Sequence, residues 1–473
     1  CPAGFQHVET NTTSPNLCEY CSTGTFQPKN DTLDQCTAWT TCDATTEVET
    51  LAPTASSDRQ CVCAANHESA PPTTSAAGSQ FQVNTYTTHI QGESSVAAFS
   101  SGFVVAWASQ YQDGDLFGIY AQMYDTSGST VGPEFRVNTY TSNQQVAPSV
   151  ASVGTGFVIA WQSNIQDSDG GGIYAQMYDT SGSTVGPEFR VNTYTSNQQV
   201  APSVASVGTG FVVAWESSGQ DGDSSGVYAQ MYDASGNTVG SEFQVNTYTT
   251  RTQSSPSVAS VGTGFVITWT SSGQDGDSYG VYAQMYDASG NTVGSEFQVN
   301  THTTSTQSSP SVASVGTGFV IAWKGNGQDG DTIYVANIYA QMYDASGNTV
   351  GSEFRVNTAT AGTQIQASVA GLSDGFIIAW RGTDSDSDGI VAQQYDASGN
   401  TVGSEFLVNT YQTGYQNYPS VTGLSDGFVI TWDGEFAAGF SKEIGAQRYV
   451  ISQGACTACP AGQGSSAGGT CSA

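Results

Sequence analysis

The chain has 473 residues, ample for a large core, with 10 Lys+Arg against 41 Asp+Glu and a net charge of −31. Such a surface excludes nucleic acid and anionic membranes as partners, since both need a basic face, and no apolar run is long enough to span a bilayer. The 55 glycines, amid Ser-, Thr- and Asn-rich segments, are turn chemistry for an all-β protein, and Ca²⁺ is a natural partner for the acidic surface.

The chain opens at Cys1, with no initiator Met and no signal peptide, and reads as a processed product or a piece of something longer. Its ten cysteines sit only at the ends: Cys1, Cys18, Cys21, Cys36, Cys42, Cys61 and Cys63, then Cys456, Cys459 and Cys471. Clusters like these in short, loop-rich segments read as disulfide frameworks of a secreted protein. Zinc is the alternative, since Cys18-x-x-Cys21 and Cys456-x-x-Cys459 have ligand spacing, but neither putative site has its second pair nearby. Two N-glycosylation sequons, at Asn11 and Asn30, agree with secretion.

The residues Cys18-Glu-Tyr-Cys21-Ser-Thr-Gly-Thr-Phe26, Cys36-Thr-Ala-Trp39-Thr-Thr-Cys42 and Ser57-Asp-Arg-Gln-Cys61-Val-Cys63 give residues 1–63 their character. This segment resembles the cysteine-rich modules of the tumour-necrosis-factor receptor family, and the Cys-Pro-Ala-Gly openings resemble the related ephrin-receptor-like modules. The resemblance implies pairing of Cys1 with Cys18, Cys21 with Cys36, and Cys42 with Cys61. One usual disulfide of the module is missing, with Trp39 near one of its positions. Cys63 is left over, and so is Cys456 if Cys459 closes on Cys471. The simplest pairing is Cys63 with Cys456, which flank the repeats, provided that their Cα atoms come within about 5–6 Å.

Residues 64–78 read as a linker, with the stretch Pro71-Pro-Thr-Thr-Ser-Ala-Ala-Gly78 open to O-glycans. From 79 to 450 one segment recurs seven times, marked by Trp107, Trp161, Trp215, Trp269, Trp323, Trp380 and Trp432 at spacings of 54, 54, 54, 54, 57 and 52 residues. A period of this size means stacked supersecondary units. The unit at 202–249 carries four strand-like runs. PSVAS is small; GFVVAW is apolar nearly throughout, as for a strand buried on both faces; GVYAQMYD alternates; SEFQVN alternates with polar neighbours. Four antiparallel strands per unit and seven units predict a seven-bladed β-propeller, with the small run innermost and the Trp packed between blades. An open β-solenoid is the alternative. The last unit stops near Val450 without its fourth strand, and an extra copy of that strand, SQFQVNT, stands at 79–85. In a closed ring it completes the seventh blade.

The turn after each Trp strand is acidic: Asp113 and Asp115, Asp167 and Asp169, Asp221 and Asp223, Asp275 and Asp277, Asp329 and Asp331, and in the sixth unit Asp384, Asp386 and Asp388 before Gly389. The sixth resembles the DxDxDG loops of integrin-type propellers and EF-hands, which implies Ca²⁺ held by alternate carboxylates. The competing reading is a solvated acidic hairpin. No organic cofactor is expected.

The C-terminal segment 451–473 carries Cys-Thr-Ala-Cys-Pro-Ala-Gly from Cys456. Set tail to head, the chain reads Cys-Ser-Ala-Cys-Pro-Ala-Gly, which suggests one period of a tandem polyprotein or head-to-tail fibre. His7, His67, His89 and His302 are scattered, no G-x-S-x-G occurs, and Arg136, Arg190 and Arg355 are lone outer-strand residues. Together with seven near-identical units, this leads to the expectation that the protein is not an enzyme. The repeats resemble those of large secreted bacterial calcium-associated adhesins. The sequence thus reads as a secreted structural protein, repeated along an extracellular filament, appendage or matrix with itself as partner. The alternatives are a multivalent adhesin binding glycans, or a receptor-type ectodomain; Tyr and Gln of YAQMYD offer sugar contacts, although Tyr at alternating strand positions is more often packing.

Overall fold

A computed structural model describes residues 73–452 apart from 329–334, 360–361, 384–387, 413 and 436–441, together with the backbone of short strands between residues 5 and 69 and at Cys456–Ala458. Two compact units result, one of Cys1–Thr73 with Ile451–Ala473, the other of Thr74–Val450.

In the larger unit the 54-residue period becomes seven four-stranded blades in a ring, a seven-bladed β-propeller. The third blade is representative: Gln199–Val207, Gly210–Ser218, Ser225–Tyr232 and Thr238–Gln244, antiparallel in that order. The second strand is buried on both faces because it has a strand on either side and a blade above and below. The fourth strand is the exposed outer edge. The pairing of third to fourth strand skips Gln230, which stays opposite Val213 of the second, and its Nε2 donates to the carbonyls of Met231 (2.9 Å) and Gly240 (3.3 Å), which blunts the edge with a bulge.

Each core cluster straddles two blades. Trp269 of the fourth blade packs with Ala205, Ala214 and Ala229 of the third, and Phe265 stacks on Tyr286 at 4.8 Å while Phe243 of the third blade tilts against the same ring. Small residues on one blade make room for the Trp of the next, so the repeat is complementary to itself.

The innermost strands would leave an edge of unpaired N–H groups around the axis. The serine of PSVAS answers this: Ser149 Oγ accepts from Val204 N (3.1 Å), Ser203 Oγ from Val258 N (3.1 Å), Ser257 Oγ from Val312 N (3.2 Å), and so on through every junction. Val96 N donates to Ser420 Oγ at 3.2 Å, so the seventh junction closes as the others do. The first strand needs a residue that is both small and an acceptor.

Closure follows the sequence expectation. Phe81 and Gln82 pair with Ala446 and Gly445 of Glu443–Ser452, as the fourth strand of a blade pairs with its third. The closing segment is longer than 79–85, however: Thr73–Ala76 also belongs to this sheet, and Ala77 N donates to Arg448 O at 2.8 Å. Part of the segment read as linker is therefore edge strand.

The smaller unit pairs Phe5–Val8 with Leu17–Tyr20, Thr25–Phe26 with Thr37–Ala38, and Glu47–Leu51 with Gln60–Cys63. His67–Ser69 pairs antiparallel with Cys456–Ala458, with Ser69 opposite Cys456. The side chains of all ten cysteines and of Asn11 and Asn30 lie outside the described residues. The five disulfides and two glycosylation sites expected from sequence therefore stay expectations.

Candidate functional site

Near-identical blades can differ only where the shared packing does not dictate the residue, and those positions collect on one side of the ring. The hairpins joining first to second strands, and third to fourth, repeat with little change, as in Gly-Thr-Gly and Asp-Ala-Ser-Gly-Asn. In the latter, the Asn237 side-chain amide donates to Asp233 Oδ2 (3.0 Å) while Oδ1 accepts from Asn237 N (2.9 Å) and Ser235 N (2.8 Å), and these bonds hold its carboxyl below the usual carboxylate range. The opposite side carries the loops between blades, the acidic turns and one mouth of the axial channel, and there the residues diverge.

Around this mouth each innermost strand bulges, at Glu93, Ala147, Ala201, Ser255, Ser309, Gln366 and Tyr418, with φ between 51° and 59°. These non-glycine left-handed residues turn their N–H out of the ladder, and the donor needs an acceptor. Different blades supply it differently. Glu93 Oε2 accepts from Ala147 N (2.7 Å), Gln366 Oε1 from Tyr418 N (3.2 Å), and Thr270 Oγ1 from Ser309 N (3.0 Å). Glu216, in the position of Thr270, serves Ser255 N; burial pushes its carboxyl up, and hydrogen bonds from Ser225 and Ser255 pull it back. Part of the divergence at the mouth thus solves one recurrent hydrogen-bond problem by several routes.

At the seventh blade that same position is Asp433, 2% exposed. Burial pushes its carboxyl up to about 6, opposed by the Lys442 ammonium 3.4 Å away and reinforced by Glu93.

The acidic turns separate their two carboxylates. The second caps the following inter-blade loop: Asp115 Oδ2 accepts from Asn143 N (2.9 Å), Asp223 Oδ2 from Arg251 N (2.7 Å) and Asp277 Oδ2 from Ser305 N (2.8 Å). The first turns inward over a glycine. A Cβ at Gly226 would stand 2.7 Å from Asp221 Oδ2, and one at Gly280 would stand 2.8 Å from Asp275 Oδ2; Asp113 lies likewise against Gly118. In the fifth and seventh blades the glycine is replaced by Asn337 and Glu443, whose own side chains accept from Asn357 and Asn84. The inward carboxylate and those side chains occupy equivalent places beside the Asn of the VNT segment. Asn138 Nδ2 reaches Asp113 Oδ2 at 3.4 Å. In these turns, then, the two carboxylates do not converge on one point, and no group of three or more His, Cys, Asp or Glu suited to a metal occurs among the described residues. In the sixth turn Asp384 and Asp386 lie outside the described residues, as do Asp329 and Asp331 of the fifth; Asp388 is ion-paired with Arg381 at 2.5 Å.

The Tyr and Gln of YAQMYD cannot meet a glycan. Tyr228, Gln230 and Tyr232 are 6%, 2% and 4% exposed, and burial lifts both phenols well above their ordinary range, Tyr228 to about 12. Alternation on a strand sandwiched between blades buries both faces, so these residues pack, and the sugar-contact alternative fails.

No protein-family model matches the chain, and no curated protein does. Solved structures do share the fold. A protein of unknown function from Dyadobacter fermentans superposes with a TM-score of 0.49 at 10% identity, over 80% of this chain and 99% of that one. The phage phi92 endosialidase gives 0.47 at 7%, over 81% and 69%. An α-L-arabinofuranosidase from Fusarium graminearum gives 0.43 at 10%, over 64% and 92%. At such identities the likeness is one of fold alone. It nevertheless corrects the expectation that the chain is not an enzyme: an endosialidase and an arabinofuranosidase are enzymes, so this architecture gives no ground for excluding one.

Proposed function

We propose that the chain is a structural module of a secreted protein, a repeating subunit of an extracellular filament, appendage or matrix that associates with further copies of itself. One observation carries the reading. His67–Ser69 and Cys456–Ala458 are neighbouring antiparallel strands, so the chain comes into and leaves the 377-residue ring unit side by side. A ring joined in this way can be inserted in a longer chain without its fold depending on what precedes or follows. The acidic surface, the Cys63–Cys456 disulfide expected from the sequence, the remaining four expected disulfides, and glycans at Asn11 and Asn30 suit an exposed, oxidising location.

The test is electron microscopy of native, unreduced material. Filaments bearing one ring per period support the reading; dispersed single rings overturn it. A second reading, a multivalent adhesin or glycan-binding ectodomain, is favoured by the divergence of the blades on one face. Binding on a glycan array that is lost when that face is altered would support it.

A further inference from the structure

The innermost serines are only half used in holding the ring together. One per blade, from Ser95 to Ser420, each accepts a backbone N–H from the following blade through Oγ. A hydroxyl that accepts still has its own hydrogen to donate. None of these serines donates to an acceptor among the described residues, and all of them line one cavity of about 560 Å³ at the bulged mouth of the axis. That volume lies within the roughly 300–1,000 Å³ of small-molecule sites.

The bulges border the same cavity. In four blades the bulged residue is small, as Ala147 and Ser255 are; in three it is Gln366, Tyr418 and Glu93. These three stand on consecutive blades, the sixth, the seventh and the first, joined by the bonds from Val421 N to Ser368 Oγ and from Val96 N to Ser420 Oγ. Each has something left over. Gln366 Oε1 accepts from Tyr418 N (3.2 Å), and its Nε2 is unspent. Glu93 gives Oε2 to Ala147 N (2.7 Å) and keeps Oε1. Tyr418 is 46% exposed at φ 51°, a conformation that a bulky side chain adopts only at a cost, and its phenol bonds to no described residue. The lining of the opposite mouth has neither a charged nor an aromatic side chain.

We propose that the bulged mouth binds a neutral saccharide, one per ring, with Tyr418 as the platform for the apolar face of a sugar ring and the serine hydroxyls, Gln366 Nε2 and Glu93 Oε1 as its hydrogen-bond partners. The inventory of donors and acceptors decides the class of occupant. Water meets these groups in the free ring, and an occupant must replace the bonds it displaces. A metal ion or an ammonium group brings no acceptor and leaves the circle of O–H donors unmet. An anion brings acceptors but meets the Glu93 carboxylate, with no cationic side chain in the lining to offset it. A sugar hydroxyl accepts from a serine and donates to Glu93 within one group. Prolines such as Pro148 and Pro419 add apolar contact beside the tyrosine. The site is independent of the filament reading. It rests on the glycan-binding one, which it narrows from many equal blades to a single asymmetric mouth.

The test uses the full chain and three sets of immobilised probes: neutral glucose, galactose and mannose oligosaccharides, uronic-acid oligosaccharides, and cationic chitosan oligosaccharides. Binding of a neutral probe is expected, with a Kd of about 0.1–1 mM by calorimetry and little change with salt. Tyr418→Ala, which copies the residue of the second and third blades, should weaken it at least about tenfold. Tyr418→Trp should retain it, and Tyr415→Ala, outside the cavity lining, should leave it unchanged. Neutral binding that survives Tyr418→Ala would overturn the axial site and leave the glycan-binding reading standing elsewhere on the ring. No binding of any probe would overturn both. Preference for the acidic or the cationic set would show that charge, and not the circle of hydroxyls, selects the occupant, and would overturn the proposal as well.

Discussion

The backbone N–H of Thr410 donates to Oε1 of Gln80 at 2.7 Å, across 330 residues of sequence. Six other junctions make the same bond with glutamate: Glu134 serves Thr85, Glu188 Thr139, Glu242 Thr193, Glu296 Thr247, Glu353 Thr301 and Glu405 Thr358, at 2.6–2.7 Å. In five of the six the acid's other oxygen also receives an amide from the acidic turn of its own blade, as Glu242 does from Gln220. Each blade thus grips the loop leaving the blade before it, and the closing segment does so for the sixth.

The seventh grip uses the one neutral acceptor. Gln80→Glu should strengthen it, since a charged acceptor makes the stronger bond, by about 0.5–1 kcal/mol, and Gln80→Ala should weaken the ring by about 1 kcal/mol. Urea unfolding of the three proteins decides the order. A loss of stability in the Gln80→Glu variant would show that repulsion within an already acidic rim outweighs the bond.

Trp215 is fully buried between blades. Trp215→Ala should cost about 3–5 kcal/mol, and Trp215→Phe, which keeps much of the volume, distinctly less. Because each Trp sits in a pocket made by its neighbour, the same pair of substitutions at Trp269 should give matching losses, measured by denaturant midpoints.

Asp433 makes stability depend on pH in a fixed direction. Its carboxyl titrates at about 6 in the folded ring against an ordinary value of 3.8, so folded protein holds the proton more tightly. Below pH 4 this group costs nothing. As pH rises from about 4 to 6 the unfolded chain loses its proton first, and stability falls by up to about 3 kcal/mol. Asp433→Asn should therefore be more stable than the parent at pH 8 and equal to it at pH 4. Equal stability at both would mean that Lys442 compensates the buried charge fully.

In the first, third and fourth turns the second carboxylate caps a loop amide, whereas the first carboxylates Asp167 and Asp275 leave buried oxygens without a partner. The change in melting temperature with Ca²⁺ over EDTA is therefore the measurement that decides between a capped acidic hairpin, with a shift under about 1 °C, and an ion site. Asp223→Asn, which weakens the cap on Arg251 N, should lower stability by about 1 kcal/mol with or without Ca²⁺. A calcium-dependent rise of several degrees would support the ion-binding reading, with the sixth turn at Asp388 the first place to examine.

The ring, its blade count and its manner of closure were legible because period and hydrophobicity report packing directly. The seven tryptophans are buried where the apolar run GFVVAW places them. The extent of the closing strand was not legible. Thr73–Ala76 is an exposed edge strand, and nothing in an exposed edge distinguishes it by composition from a linker. The small size of PSVAS was readable, but the acceptor role of its serine depends on a valine of the next blade, 55 residues on in Ser149–Val204. The acidic pairs were conspicuous, yet their partners are a glycine across the turn and an amide 28 residues downstream.

The pairing of His67–Ser69 with Cys456–Ala458 has a mechanical consequence. Tension applied along the polypeptide meets this short ladder before it reaches any blade, so the load path from one flanking segment to the other bypasses the ring. His67 stands opposite Ala458, so a pull on the two flanks opens the ladder from one end; while it holds, the blades carry none of the pull, and once it unzips, the whole ring unit becomes reserve length that can be released under strain.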